Sequence, residues 1–346
     1  MLKRFFVPAL AGLLAGSMLC FPREAAQAAS QACRLWAVAV LPSLFPFLLC
    51  MLIITGNLSA GRHRGVNRFL GLPAGLSPLV VMGLMSGSPG GSRLTQELVL
   101  KDDAGRAALK RFSLYTGTMS PMFFVGTLGG WMLSPTLGWF MLLAHWMSAL
   151  CTGQLSRLFF ACPPLPPVAL SHESRRLGLS HVIHSAAMAM FTVCGLMVLG
   201  SVAAGMVSCT FPYLPEGILA GLQAILEVTA GCSRILTVPL PESLPALRPA
   251  LLCAAASFSG MSILLQNLAF LQDGGVTFPF LLTGALCRCI LSFGLCLLLF
   301  PLVESVAFPT FAPVVQSVPA LPTVILLLWF CGLTFPGMPG NKKLFS

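Results

Sequence analysis

The sequence predicts an all-α polytopic membrane protein with about eight transmembrane helices and two re-entrant broken hairpins in an inverted repeat. Three observations carry that prediction: an apolar composition, long uncharged runs joined by short basic loops, and two glycine-rich interruptions at corresponding places. Hydrophobic residues make up 56% of the chain and charged ones 9%, and mean hydropathy is +0.89. A soluble domain of 346 residues rarely carries so little charge. The chain reads as one transmembrane domain, residues 1–346. Within it, residues 82–156 and 217–300 each form a hairpin followed by a broken helix.

The formal charge of +10 is spread over the connecting loops, so it is assigned to orientation and anionic-lipid contact, with no nucleic acid expected. The 13 cysteines stand without a CxxC pair and mostly inside apolar runs, where they serve as small buried apolar residues. No metal site or cofactor is expected, and the coupling ion of a carrier stays open. An enzyme is not expected either: the chain has no HExxH, no GxSxG, no phosphate-binding glycine loop and no nucleophile with a base at workable spacing.

Taken in order, Lys3 and Arg4 precede an apolar run from Phe5 to Phe21, followed by Ala26-Gln27-Ala28, which resembles a cleavage box. The run is long for a signal core and leads into another apolar segment, so an uncleaved first span is expected. The second span, Trp36 to Leu58, holds Pro42 and Pro46 and is expected to kink. Arg62, His63, Arg64 and Arg68 mark a cytoplasmic loop. The stretch Met82 to Leu98 then breaks at Gly87, Pro89, Gly90 and Gly91 and returns to the same side before Lys101, Arg106, Lys110 and Arg111. A third span (Phe112 to Trp131), a fourth (Thr136 to Ser156, carrying His145) and a fifth (Ala186 to Cys209) follow, with Arg157, Arg175 and Arg176 cytoplasmic. Gly217 to Leu236 is the second broken segment, now facing the opposite side. Spans six to eight are Ala250 to Leu271, Phe278 to Phe300 and Pro319 to Leu333, and Lys342 and Lys343 keep the C-terminus, like the N-terminus, in the cytoplasm.

The breaks locate the candidate site. Gly91-Ser92-Arg93-Leu94 is answered by Gly231-Cys232-Ser233-Arg234-Ile235, and Thr118-Met119-Ser120-Pro121 by the serine cluster Ser257 to Ser262. Proline removes a donor and glycine loosens the helix, and backbone freed at membrane depth belongs where protein buries it or where it lines a cavity. Interrupted segments at matching positions in two halves are the best sequence pointer to a carrier's binding site. The substrate-binding candidates are Ser86, Ser88, Ser92, Arg93, Thr118, Ser120, Thr229, Ser233, Arg234, Ser257, Ser259, Ser262 and Gln266. Glu97 and Glu227 are candidates for charge balance or ion coupling. Helix restarts carry partial positive charge, and with Arg93 and Arg234 they favour an anionic solute. Glu227, Gln223, Gln266 and Asn267 would instead suit a neutral nucleoside. Bland readings stand beside these: Arg93 pairing with Glu97 and Arg234 with Glu227, arginines snorkelling to an interface, serines bonded to their own helix, and His145 packing between helices.

The motifs Leu41-Pro42-Ser43-Leu44-Phe45-Pro46-Phe47, Ser86-Gly87-Ser88-Pro89, Ser120-Pro121-Met122-Phe123, Leu226-Glu227-Val228-Thr229-Ala230-Gly231 and Phe258-Ser259-Gly260-Met261-Ser262 with Gln266 carry a further signal. Together they resemble bacterial sporulation integral membrane proteins of the YlbJ or stage V type, which have a nucleoside-recognition (Gate) domain. Such proteins are similar to concentrative nucleoside transporters, and the resemblance covers Pro22 to about Leu291. The chain departs from the pattern at Ser88, where an aromatic is usual, at Arg93, where lysine is common, and at Gly117 in place of asparagine. The resemblance implies two hairpins and two broken helices around a mid-membrane solute, with dipicolinate the solute of the stage V members. The expected function is therefore sporulation-associated transport of a small anionic solute across the mother-cell-derived membrane. The expected partners are that solute and membrane lipid, with a homo-oligomer allowed. A nucleoside carrier and a non-transporting scaffold for spore assembly are the rivals.

Overall fold

The computed structural model describes residues 2–56, 64–72, 77–88, 90–92, 103–159 and 179–303, and every regular element among them is helical. Helix α1 (Leu2–Cys20) is followed by α2 (Pro22–Leu35), which starts on a proline, where a missing backbone donor costs nothing. α2 places Ala25 and Ala32 against the later helix Leu179–Thr210 and leaves its charged residues outward. A π-helical turn, Trp36–Val40, leads into α3 (Leu41–Gly56). Pro42 and Pro46 deny two helical hydrogen bonds there, and Pro22–Val40 meets Leu44–Ile54 at 55°. The expected kink is present, inside a helical stretch that begins well before Trp36.

After α4 (Arg64–Leu70) comes the first interrupted unit. α5 (Ser77–Ser86) stops at Gly87, and the helix restarts by residues 90–92. α6 (Asp103–Thr116) stops at Gly117, and a π-helical segment, Phe123–Met132, continues the line beyond Ser120. α7 (Pro135–Phe159) closes the unit. After α8 (Leu179–Thr210) the same order returns. α9 (Glu216–Leu226) breaks at Glu227 into α10 (Val228–Thr237), α11 (Leu247–Phe258) breaks at Ser259 into α12 (Gly260–Leu271), and α13 (Phe278–Leu299) closes. The breaks follow the same order twice, but the second hairpin breaks at Glu227, and the Gly231-Cys232-Ser233-Arg234 stretch expected at a restart lies inside α10.

Three helices among the described residues are long and apolar enough to cross a membrane: Leu179–Thr210, Leu247–Gly274 and Phe278–Leu299. The bent pair Pro22–Val40 and Leu44–Ile54 makes a fourth. The sequence's expectation of about eight exceeds this: the third expected span, Phe112 to Trp131, is interrupted after Thr116, and the segments expected to re-enter are half-length. α5, α9 and α10 have 10, 11 and 10 residues, and ten residues reach only about 15 Å, half the hydrocarbon thickness. The eighth expected span, Pro319 to Leu333, and the loop residues Arg62, His63, Lys101, Arg175, Arg176, Lys342 and Lys343 lie outside the described residues, as do Arg93 and Glu97.

α13 packs along α11 and α7. Two apolar clusters flank the breaks. One joins Leu79, Phe112 and Tyr115 to Phe258, Leu264 and Leu281, and the other joins Phe124, Leu128 and Met141 to Cys232, Leu252 and Cys253. Each cluster draws residues from both halves, so the halves share one core and the breaks lie inside it.

Candidate functional site

The first break is held by backbone geometry. Gly87 has φ +60, and a Cβ there would lie 2.3 Å from the Ser120 Cα, so only glycine lets the tip of α5 seat on the unwound stretch after α6. The Gly87 N–H donates to the Gly83 carbonyl at 2.8 Å, and the Ser88 N–H crosses to the Thr118 carbonyl at 2.7 Å. Ser88 and Ser92 both donate their hydroxyls to Oδ1 of Asn267, at 2.6 and 2.7 Å, and Asn267 Nδ2 donates to the Gly117 carbonyl at 3.4 Å. Asn267 belongs to α12, in the other half. That one amide therefore ties both strands of the first break to the second broken helix. Arg288 of α13, 3% exposed, donates to the carbonyls of Leu114 and Gly117 at 3.5 Å each.

The second break turns on Glu227. Its backbone is extended (φ −143, ψ 119), which ends α9, and its carboxylate accepts from the N–H groups of Thr229 at 3.0 Å and Ala230 at 2.6 Å. An acidic N-cap satisfies orphan donors and meets the positive helix end. Ser201 of α8 lies against the same carboxylate, and α8 comes so close at Gly200 that a Cβ would stand 2.9 Å from the Glu227 side chain. The matching break in α11–α12 puts Ser259 at φ 75, a costly left-handed conformation for a residue with a side chain, and Gly260 at φ 72. A Cβ on Gly260 would meet the Val228 N at 3.1 Å. Both halves thus seat a hairpin tip on a broken helix through a left-handed glycine.

The two tips meet at a small cavity of about 40 Å³, lined among others by Ser88 and Met119 from the first unit and by Glu227, Thr229, Ser262 and Gln266 from the second. That volume suits about one water, and Val40, Leu44, Val193 and Met197 complete a mostly apolar wall around the polar groups. On the far side of Glu227 lies an open polar cleft of about 470 Å³ between α2, α8, α9 and α10, lined by Gln31, Ser201, Gln223, Ser233 and Arg234.

This arrangement sorts the sequence-predicted residues. Ser88, Thr229, Ser262, Gln266 and Glu227 line the chamber, and Ser92 supports it through Asn267. Arg234 does not reach it. Its Nη2 lies 2.8 Å from Glu216 Oε2, and it faces the open cleft with Ser233, because the α10 helix turns both away from the tip. The expected pairing of Arg234 with Glu227 is replaced by this Glu216 pair, since the Glu227 carboxylate turns inward to cap α10. The N–H donors that a solute anion would use at this restart are those Glu227 already occupies.

Several hydroxyls take their bland roles. Ser86 donates to the Gly83 carbonyl and Ser259 to the Ala256 carbonyl, each in its own helix, while Ser120 Oγ accepts from the Phe123 N–H. Ser257 bonds His145 Nδ1 at 2.8 Å between α7 and α11, with the His145 ring 4.7 Å from that of Phe124. That is the helix-packing role expected for His145. Thr118 Oγ1 is buried with no protein partner. Arg288 was not among the predicted site residues, and Asn267 was named only as a contact for a neutral nucleoside. Arg288 was legible, as the one charged residue in the apolar run Phe278 to Phe300, and an ionisable residue inside a membrane span is a functional candidate by default. Among the described residues no group of three or more His, Cys, Asp or Glu side chains is placed to hold a metal ion.

Comparison with known proteins gives one relative. The sporulation integral membrane protein YlbJ of Bacillus subtilis (strain 168) is 25% identical over 159 residues, which is 42% of this chain and 37% of that protein. The match therefore spans little more than a third of the relative's length. No protein-family model matches the chain, and no solved structure matches it. The similarity and the long apolar helices together make this an integral membrane protein.

Proposed function

We propose that this chain is a sporulation-associated membrane carrier that moves a small solute by alternating access. Its two interrupted units would form an inverted repeat within about eight spans. It would work in the mother-cell-derived outer forespore membrane with both termini cytoplasmic. Sporulation enters through the similarity to YlbJ. The observation that carries the reading is the meeting of two helix breaks at one small cavity, where Ser88 on one side and Glu227 and Thr229 on the other are set among apolar residues. Breaks at membrane depth have a physical rationale when they line such a space.

Dipicolinate is the solute that the family resemblance implies, and Ser88, Thr229, Ser262 and Gln266 offer it hydrogen bonds. A second reading, a neutral solute of the nucleoside class, is favoured by a specific feature: the cavity holds the Glu227 carboxylate and, among the described residues, none of its lining side chains is basic. A carboxylate accepts from hydroxyls and amines, whereas it repels an anion unless a cation travels with it. No enzymatic activity is proposed, and the partners are the solute and membrane lipid.

The test is uptake of labelled dipicolinate and of a labelled nucleoside into proteoliposomes, by wild type, Glu227→Gln and Ser262→Ala. Carriage of either solute, reduced in both variants, supports the reading. Absence of transport of both classes, together with loss of spore-assembly proteins on deletion, would replace it with the scaffold reading.

A further inference from the structure

We infer that Arg288 is a tethered cation that fills the carbonyl cage at the end of α6, the position a coupling alkali-metal ion would take. The last turn of a helix leaves carbonyls without partners. In discontinuous-helix carriers such ends, with unwound carbonyls beside them, are where a coupling cation binds. Here the cage is already closed by protein donors. The Ser113 carbonyl accepts from the Gly117 N–H at 2.9 Å and the Thr118 carbonyl from the Ser88 N–H at 2.7 Å. The Leu114 carbonyl accepts from Arg288 Nη1, and the Gly117 carbonyl from Arg288 Nη2 and Asn267 Nδ2.

Charge and shape agree with a resident cation. Among the described residues Arg288 has no acidic partner, and its Nε has no hydrogen-bond partner. Its positive charge is offset by carbonyl dipoles at a helix C-terminus, the end that attracts cations. One turn earlier on α13, Gly284 leaves the room: a Cβ there would lie 2.6 Å from the Leu114 side chain and 3.6 Å from Arg288 Nη1. Arg248 makes a comparable cap, donating to the carbonyls of Ile235, Leu236 and Val238 at the end of α10, but it does so among residues 10 to 13 positions away. Arg288 instead reaches from the second half of the chain to the central break of the first, 171 and 174 positions away. The consequence is a protein that needs no sodium at this break.

The inference extends the carrier reading, but its primary test does not depend on transport. Thermal unfolding of the full chain in detergent is compared in sodium chloride and in choline chloride at equal ionic strength, for wild type, Arg288→Lys and Arg288→Gln. Wild type and Arg288→Lys are expected to unfold at the same temperature in both salts, since each carries its own cation. Arg288→Gln is expected to be stabilised by sodium, and its solute uptake raised at least about tenfold by sodium over choline, within the usual range of coupling between two sites. Sodium stabilisation of wild type or of Arg288→Lys overturns the inference even if Arg288→Gln does not fold. So does a folded Arg288→Gln that ignores sodium. Uptake that fails in every variant while the unfolding pattern holds would count against the carrier reading and leave the tethered cation standing.

Discussion

Replacing Asn267 tests whether the two halves are joined through the first break. Oδ1 accepts from Ser88 and Ser92, and Nδ2 faces the Gly117 carbonyl. That orientation is fixed by chemistry, because a carbonyl can only accept and the amide nitrogen can only donate. A double-mutant cycle of Ser88→Ala with Asn267→Leu isolates one hydroxyl bond, and Ser92→Ala with Asn267→Leu isolates the other. Side-chain hydrogen bonds between membrane helices measure about 0.6 kcal/mol on average and reach about 1.7, less than in an apolar solvent because the unfolded helices also find partners. Both bonds here are short and buried, so each coupling is expected in the upper part of that range, and the two together at about 1.5–3 kcal/mol. The assay is reversible unfolding by denaturing detergent mixed into mild detergent, read by helix content. Couplings below about 0.3 kcal/mol for both serines, the level at which independent sites simply add, would refute the claim that Asn267 ties the halves.

Gly87→Ala is expected to destabilise by about 2–5 kcal/mol, combining a left-handed backbone with a methyl group forced against the Ser120 backbone; unfolding in the same detergent mixture reads it, and a loss under about 1 kcal/mol would contradict the close approach. Gly217→Ala, which meets nothing within 4 Å, is the control and should stay near wild type. Glu227→Gln keeps an oxygen for one N–H but loses the charge at the helix start, so a loss of about 1 kcal/mol is expected together with impaired uptake. Arg234→Ala breaks an ion pair whose side chains are 26% and 60% exposed, and after solvent screening it should change stability by less than about 1 kcal/mol in the same unfolding assay.

The positions of the breaks were legible in the sequence because glycine and proline punctuate helices for local reasons. Gly87, the stretch around Glu227, and Ser259-Gly260 all lie at or beside real interruptions. Which side chains face the cavity was not legible, because orientation there depends on packing between segments far apart in sequence. Ser233-Arg234 looked like the partner of Ser92-Arg93, yet the α10 helix carries Arg234 to the cleft and leaves the tip to Glu227. The sequence pattern repeats Gly-Ser-Arg, whereas the geometry repeats something else: a left-handed glycine where a hairpin tip meets a broken helix, Gly87 in the tip of the first unit and Gly260 in the broken helix of the second. Glycine can be read from sequence, but the closeness of the backbone it permits cannot. Asn267 was similarly hidden, since its partners lie 175 and 179 positions away.

The two halves differ in how their breaks are satisfied, and the difference bears on motion. At the second break the donors are met locally, by Glu227 two and three positions from the N–H groups it caps. A hairpin capped from within keeps those bonds when it moves as a body. At the first break the carbonyls and hydroxyls are met by Asn267 and Arg288 from α12 and α13, so any separation of the first hairpin from the second half must break them. The bonds through Asn267 amount to about 1.5–3 kcal/mol by the estimate above, which corresponds to an open form at roughly one part in ten to one in a hundred and fifty. A solute that gained a few kilocalories per mole by replacing them would open the chamber, and one that gained nothing would leave it shut. If the first hairpin is the moving part, Asn267→Leu should therefore raise the open population and make cysteines placed at Ser88 more reactive toward a water-soluble thiol reagent. Unchanged labelling of Ser88→Cys in the presence and absence of Asn267→Leu would assign the motion to the second hairpin, whose bonds are its own.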